Sequence, residues 1–237
     1  MEAFILHILL QLQELLVHLQ AQFAKYFGYV AFIGTGIAFT LKLLMGGLCL
    51  GIVIGLVLSI LRYNKVGCTF INRLISILRG TPLILQLSFV YFIAPGLIGM
   101  KLSIITAGIL TFGLNSSAYV AEILRSGIES LPKGQCEAAR TLEIPGFYMW
   151  KDIILPQVIK NILPAMVSEV ITLLKETALI TTIGGVDIMR TAQILAAEKF
   201  TYFMPLCIAG VYYYSLVLLV EYLGKKIEKS GWYAQNI

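Results

Sequence analysis

Charge is scarce in this 237-residue chain. Only 13% of its residues are Asp, Glu, Lys or Arg, about half the share of a soluble domain. Histidine is nearly missing, with His7 and His18 alone near the N-terminus. The four cysteines, Cys49, Cys68, Cys136 and Cys207, never approach Cys-x-x-Cys spacing. A disulfide scaffold and a zinc site are therefore excluded as organising principles. No Gly-x-x-x-x-Gly-Lys-[Ser/Thr] phosphate loop, no His-Glu-x-x-His and no Gly-x-Ser-x-Gly occurs, so nucleotide hydrolysis, zinc hydrolysis and serine acyl transfer lack their usual groups. The start, Met1 to Leu12, has no basic stretch, so no cleavable signal is expected. What fills the chain is apolar: 58% of residues are hydrophobic. That composition points to an all-α membrane protein.

A bilayer crossing needs about 20 apolar helical residues. Five stretches qualify: Ile37 to Leu61, Pro82 to Leu97, Leu102 to Ala121, Ile162 to Ile183, and Pro205 to Leu223. The second is short and has room to begin a turn earlier. With five crossings the basic residues sort into two unequal sets. Twelve fall on one side: Arg62, Lys65, Arg73, Arg79, Arg125, Lys133, Arg140, Lys151, Lys160, Lys225, Lys226 and Lys229. Four fall on the other: Lys25, Lys101, Arg190 and Lys199. The positive-inside bias then predicts an external N-terminus and a cytoplasmic C-terminus. It also explains the net charge of +5 without a nucleic-acid partner.

Residues 1–35 are expected to form an N-terminal amphipathic or peripheral segment, because Gln11, Gln13, Glu14, His18 and Gln20 interrupt its leucines. Residues 36–225 form the membrane domain and 226–237 a cytoplasmic tail. The loop from about 125 to 160 is too long and too patterned to be a linker. Leu131-Pro132-Lys133-Gly134 reads as a turn, Gln135 to Leu142 as a first helix, and Ile144-Pro145-Gly146 as a break. A second short helix, Phe147 to Ile154, is expected to end at Leu155-Pro156. The run Phe147-Tyr148-Met149-Trp150 suits either a protein interface or packing under the bundle.

Glu137-Ala138-Ala139, followed by Ile153-Ile154-Leu155-Pro156, resembles the EAA loop of ABC importer permeases. Arg79-Gly80-Thr81-Pro82, the run Ala118 to Arg125, Lys133-Gly134-Gln135 and Lys175-Glu176-Thr177-Ala178-Leu179 extend the likeness to the polar amino-acid branch. The resemblance covers about residues 36 to 225. It implies the type I ABC importer permease fold, with five core transmembrane helices in a bacterial inner membrane. It also implies an ATPase subunit dimer, a second permease chain (copy or paralogue) and an extracytoplasmic solute-binding protein. ATP and Mg would then sit on the partner ATPase, with no cofactor on this chain and no enzymatic activity of its own. The EAA loop, through Gly134, Glu137, Ala138, Ala139, Glu143, Phe147, Leu155 and Pro156, would dock on that ATPase. One position departs from the pattern: Glu143 stands where the family usually has glycine. Pro145 and Gly146 are expected to move the break about three residues downstream, extending the first helix.

Ionisable residues inside spans are costly and mark wet or functional interiors. Glu169, Thr172 and Glu176 share a helical face by their i, i+3, i+7 spacing. A zwitterionic amino acid needs a carboxylate for its ammonium and a cation for its carboxylate. Lys175 and Glu176 offer both, and Thr177 follows them. By the resemblance this motif lies near the substrate; Glu169, on the same helical face as Glu176, is a further candidate. An internal ion pair remains the alternative. Gln86 and Asn115 are weaker path-lining candidates, suited also to interhelical hydrogen bonds. An ion-driven carrier would explain the charge cluster, but no repeat is evident, and it would leave the two-helix loop without a purpose.

Overall fold

The computed structural model describes residues 25–99 and 101–229. Of the expected peripheral segment 1–35, residues 1–24 lie outside the described residues. Residues 25–34 form helix α1, which runs through a turn at Thr35 and Gly36 into α2, Ile37–Tyr63. Three further helices are long and apolar enough to cross a membrane: α6 (Ile104–Glu129), a 38-residue helix over Gly146–Ile183, and α11 (Phe203–Lys229). A bent pair raises the number of crossings to five if it counts as one span. Here α3 (Cys68–Gly80) meets the stretch 83–97 at 103°.

The bend explains why the second span looks short. Pro82 disfavours a helical Thr81, and Thr81 is extended, with φ −111° and ψ 142°. The chain therefore turns sharply instead of beginning the span a turn earlier. Beyond it come α4 (Leu83–Ser88), a π turn over Phe89–Ile93, and α5 (Ala94–Ile98). Between them α3 buries Ile71 and Ile75 against α2 and α6.

Helix α2 lies against α6 along Gly47, Gly51 and Gly55, all buried. A Cβ on Gly51 would stand 2.9 Å from Ser116 Cβ, and one on Gly55 2.7 Å from Val120 Cβ. This small-residue stripe therefore serves close packing within the chain. The largest core cluster joins α2, α4 and α6 to the 38-residue helix through Leu43, Leu87, Phe112, Leu173 and Leu174.

The loop contains α7, Lys133–Thr141. It ends at Thr141, before the Ile144-Pro145-Gly146 break, so the expected three-residue extension does not occur. Glu143 itself takes the left-handed conformation, with φ 54°. The Ile144 N–H then donates to the Ala139 carbonyl and the Leu142 N–H to that of Ala138, both at 3.0 Å, closing the helix end. This is the geometry that glycine takes without strain. Replacing Glu143 by glycine should therefore stabilise the loop by about 0.5–1 kcal/mol. Slower amide exchange around residues 138–144 would register it.

The second helix also departs from expectation. It does not stop at Leu155-Pro156. A helical turn (α8, Gly146–Tyr148) passes through a π turn at Met149–Ile154 into α9, Leu155–Glu176. The Leu155 N–H reaches back to the Trp150 carbonyl. Widening the turn there accommodates Pro156, which cannot donate and would crowd a regular helix. After Glu176 the helix tightens into a 3-10 turn, Thr177–Ile183. Finally α10, Ile188–Glu198, lies between the fourth and fifth apolar stretches. Asp187 caps it, its carboxylate accepting from the Arg190 N–H at 2.8 Å.

Candidate substrate path and docking loop

The two-helix loop packs inward through a small core of its own. Ala139, Met149, Ile154, Val158 and Ile162 are buried together. Gln135 and Gln157 exchange reciprocal amide bonds of 3.0 and 2.8 Å, tying α7 to α9. Trp150 meets Tyr63 edge-on, 5.0 Å between centroids. The aromatic run therefore divides. Met149 and Trp150 pack inward, whereas Phe147 is 71% exposed, Tyr148 is exposed, and Leu142 is 73% exposed. Gly134, Glu137, Ala138 and Glu143 also face outward, with Leu155 exposed and Pro156 half-buried.

Above this loop Glu122 gathers three arginines. Arg62 donates to its Oε1 at 2.5 Å, Arg125 to its Oε2 at 2.9 Å, and Arg79 approaches at 3.7 Å. Arg125 also pairs with Glu129. Arg79 lies over the Tyr119 ring, 5.2 Å from the centroid, a cation–π distance. The Glu122–Arg125 pair is readable from i, i+3 spacing. Arg62 is 60 residues away and carries no local signal. The cluster borders a groove of about 510 Å³ that Ser126 and Asn161 also line.

The membrane-embedded carboxylates lie on α9. Glu169 is 8% exposed and accepts from the Ser116 hydroxyl at 2.6 Å. Glu176, half-buried, sits within electrostatic reach of Glu169 and of Lys175. Among the described residues neither carboxylate forms an ion pair with Lys or Arg, so the internal ion pair is not realised. Lys175 is exposed. Thr177 is fully buried, its hydroxyl donating to the Leu174 carbonyl at 2.7 Å.

Gln86 and Asn115 are brought together at the α3–α4 bend. Gln86 donates to the carbonyls of Leu78 (2.8 Å) and Thr81 (3.2 Å). Asn115 donates to Leu78 at 3.0 Å and to the Gln86 carbonyl oxygen at 3.3 Å. Both thus satisfy helix-end carbonyls that the bend leaves open. Sequence reading missed a further polar group at the end of the bundle opposite the loop. Asp187 is fully buried. Its Oδ2 accepts from the Tyr213 hydroxyl at 2.8 Å. Burial pushes the Asp187 carboxyl above the usual carboxylate range, against the donors from the Arg190 backbone and Tyr213. An Asp before the apolar pattern Ile188, Thr191, Ala192, Leu195 is a helix-start signal, so this cap was legible.

Comparison with known proteins gives consistent results. Residues 47–230 match the family of binding-protein-dependent transport system inner membrane components. A putative glutamine transport system permease protein of Rickettsia typhi is 48% identical over 208 residues, covering 86% of this chain and 95% of that protein. The arginine transport system permease protein of Bacillus subtilis is 44% identical over 202 residues, covering 84% and 92%. Among solved structures, an amino acid ABC transporter with histidines superposes with a TM-score of 0.80 at 35% identity, covering 87% of this chain and 97% of that one. An inward-facing MetNI methionine ABC transporter, at 18% identity and TM-score 0.71, shares the fold.

Proposed function

The chain belongs to the family of binding-protein-dependent transport system inner membrane components, and we propose that it is the permease subunit of an ATP-driven importer for a polar amino acid. An external solute-binding protein delivers the amino acid, and a partner ATPase, carrying ATP and Mg, docks on the loop through Leu142, Phe147 and Tyr148. A second permease chain completes the pathway. The excess of basic residues at the loop end supports a cytoplasmic position for it.

One observation carries the amino-acid reading. Glu169 and Glu176 place two carboxylates within the bundle, on one helix, with no cation paired to either among the described residues. Such groups are expensive to bury alone. A ligand ammonium offsets that cost during transport, and Lys175 at the same helix end suits the ligand carboxylate. Thr177, Gln86 and Asn115 act from behind, as supports. The relatives named for glutamine and arginine transport suggest the two probes to use. In the assembled permease–ATPase complex, Glu176→Gln should weaken binding of radiolabelled L-glutamine or L-arginine by about tenfold. Unchanged affinity for both would remove Glu176 from the site.

A further inference from the structure

Helix α9 has no lipid-like face. After Leu155 at its start, it exposes no large apolar side chain. From Asn161 onward its exposed positions are Asn161, Pro164, Ala165, Ser168, Thr172 and Lys175. By contrast α2 exposes Met45, Val53 and Ile60, and α11 exposes Val211, Tyr214 and Leu219. Asn161, Ala165, Ser168, Thr172 and Lys175 recur at i, i+4, i+7, i+11 and i+14, which keeps them on one side of the helix. Polar positions on a spanning helix face the bundle interior or a wet cavity, not hydrocarbon. These are exposed, so water is their neighbour.

This polar side leads from Lys175 to the arginine-bordered groove. Asn161 and Ala165 line the groove from α9, and Tyr119 and Ser126 line it from α6. Two hydrogen bonds bracket the stretch where α6 and α9 run together: Ser116 to Glu169, and Asn161 to Ser130 at 3.0 Å. The volume of about 510 Å³ is that of a small-molecule site. Its charges are unevenly paired. Arg62 and Arg125 each take one oxygen of Glu122, and Arg125 also takes Glu129. Arg79 is 42% exposed and stands 3.7 Å from Glu122, too far for a hydrogen bond. Three arginines against two glutamates leave one positive charge, and it falls on Arg79. The Tyr119 ring beneath it holds the guanidinium in place. A fixed guanidinium with uncommitted donors is a carboxylate receptor, and the exposed Ser126 beside it adds a hydroxyl donor.

We propose that this groove is a second amino-acid site, on the release side: Arg79 receives the ligand α-carboxylate after the amino acid leaves Lys175 and Glu176 and passes along the polar side of α9. The inference rests on the reading of this chain as an amino-acid importer. Lys175 and Asn161 are 14 positions apart, roughly 21 Å along the axis, so one ligand cannot span both sites. The release site is the weaker one, because Glu122 stands close to Arg79 and repels an incoming carboxylate. Weak retention suits a place that must let its ligand go.

The test uses the complete permease–ATPase complex in nanodiscs without nucleotide, with radiolabelled L-arginine and L-glutamine as probes. Equilibrium binding should show a tight and a weak component. Arg79→Gln should raise the weak dissociation constant about tenfold or more and leave the tight one unchanged. Ser126→Asp, at an exposed position, puts a negative charge into the groove and should do the same, which covers the case of an Arg79→Gln complex that fails to assemble. Thr172→Cys should react with a membrane-impermeant methanethiosulfonate above the wild-type level, a comparison needed because Cys49 and Cys207 are exposed. A tight component alone in the wild type overturns the second site, and so does a weak component that survives both groove variants. A weak component displaced by inorganic phosphate overturns the amino-acid assignment, since the groove is then a general anion site. An unreactive Thr172→Cys overturns the path, because that side of α9 is then covered by the second permease chain. If neither probe binds at all, the importer reading itself fails, a result distinct from loss of the weak component.

Discussion

A Leu142→Asp/Phe147→Asp double variant should keep its fold and lose its ATPase. Both side chains are more than 70% exposed, at 73% and 71%. Neither contributes to the cluster of Ala139, Met149, Ile154, Val158 and Ile162 that holds the loop together. Charging them therefore removes little stability. An apolar anchor at an interface centre is worth about 2–4 kcal/mol, so losing two should weaken association by about 1,000-fold or more. Co-purification with the ATPase and substrate-stimulated ATP hydrolysis should both vanish, while the permease melts at its normal temperature. The contrasting variant is Ala139→Asp, only three residues from Leu142. It puts a charge into that closed cluster, where no partner waits, and should unfold the loop outright. If the double variant still binds the ATPase, the outward-facing residues are not the contact.

Gly36→Val should be the most damaging single change outside the loop. Gly36 sits between α1 and α2, at the N-cap of α2. A Cβ there would lie 2.4 Å from the Asp187 carbonyl carbon, 2.5 Å from its oxygen and 2.5 Å from the Ile188 nitrogen. All three are backbone atoms, so no rotamer change relieves the clash. Relief requires the start of α10 to move off α2, breaking the Thr40–Ile188 and Thr191–Ile33 bonds. We expect a loss above about 3 kcal/mol, seen as a large drop in melting temperature and in membrane-assembled protein. Gly46→Ala is the matched control. Its Cβ would meet only the Ile109 side chain, at 2.6 Å from Cδ1 and 2.8 Å from Cγ1, so a side chain rather than backbone yields and the loss should be smaller than for Gly36→Val.

Much of the fold is legible one residue at a time. Apolar length finds the crossings, and Pro132 marks the start of α7, but the left-handed turn at Glu143 closes α7 rather than Pro145 and Gly146. Cation counting separates the loop end from the other end. The misses share a cause. Whether Pro156 stops a helix depends on whether the preceding turn can widen, a property of the packed structure rather than of the residue. Whether Glu143 forces a longer helix depends on how strongly Ala138 and Ala139 need their carbonyls satisfied. The site was only half visible for the same reason. Spacing on one helix reveals Glu169 and Glu176. Arg62 with Glu122, or Tyr213 with Asp187, meet only after helices far apart in sequence have packed. Gln86 and Asn115 show the reverse limit. As polar residues in spans they invite a ligand role, yet the bend at Pro82 already uses them.

The helix over Gly146–Ile183 bears one mechanical reading. It carries Phe147 at one end and Glu176 near the other, 38 residues without a sharp break. At 1.5 Å per residue the two side chains are roughly 45 Å apart along the axis. If Phe147 meets the ATPase and Glu176 the ligand, as proposed, this helix would serve as a lever arm. A tilt of about 5° imposed at Phe147 sweeps the Glu176 end sideways by roughly 4 Å over that length, comparable to a hydrogen-bond distance and enough to make or break a ligand contact. The wide turn at Met149–Ile154 lies close to the Phe147 end, so a tilt applied there passes through it before reaching Glu176.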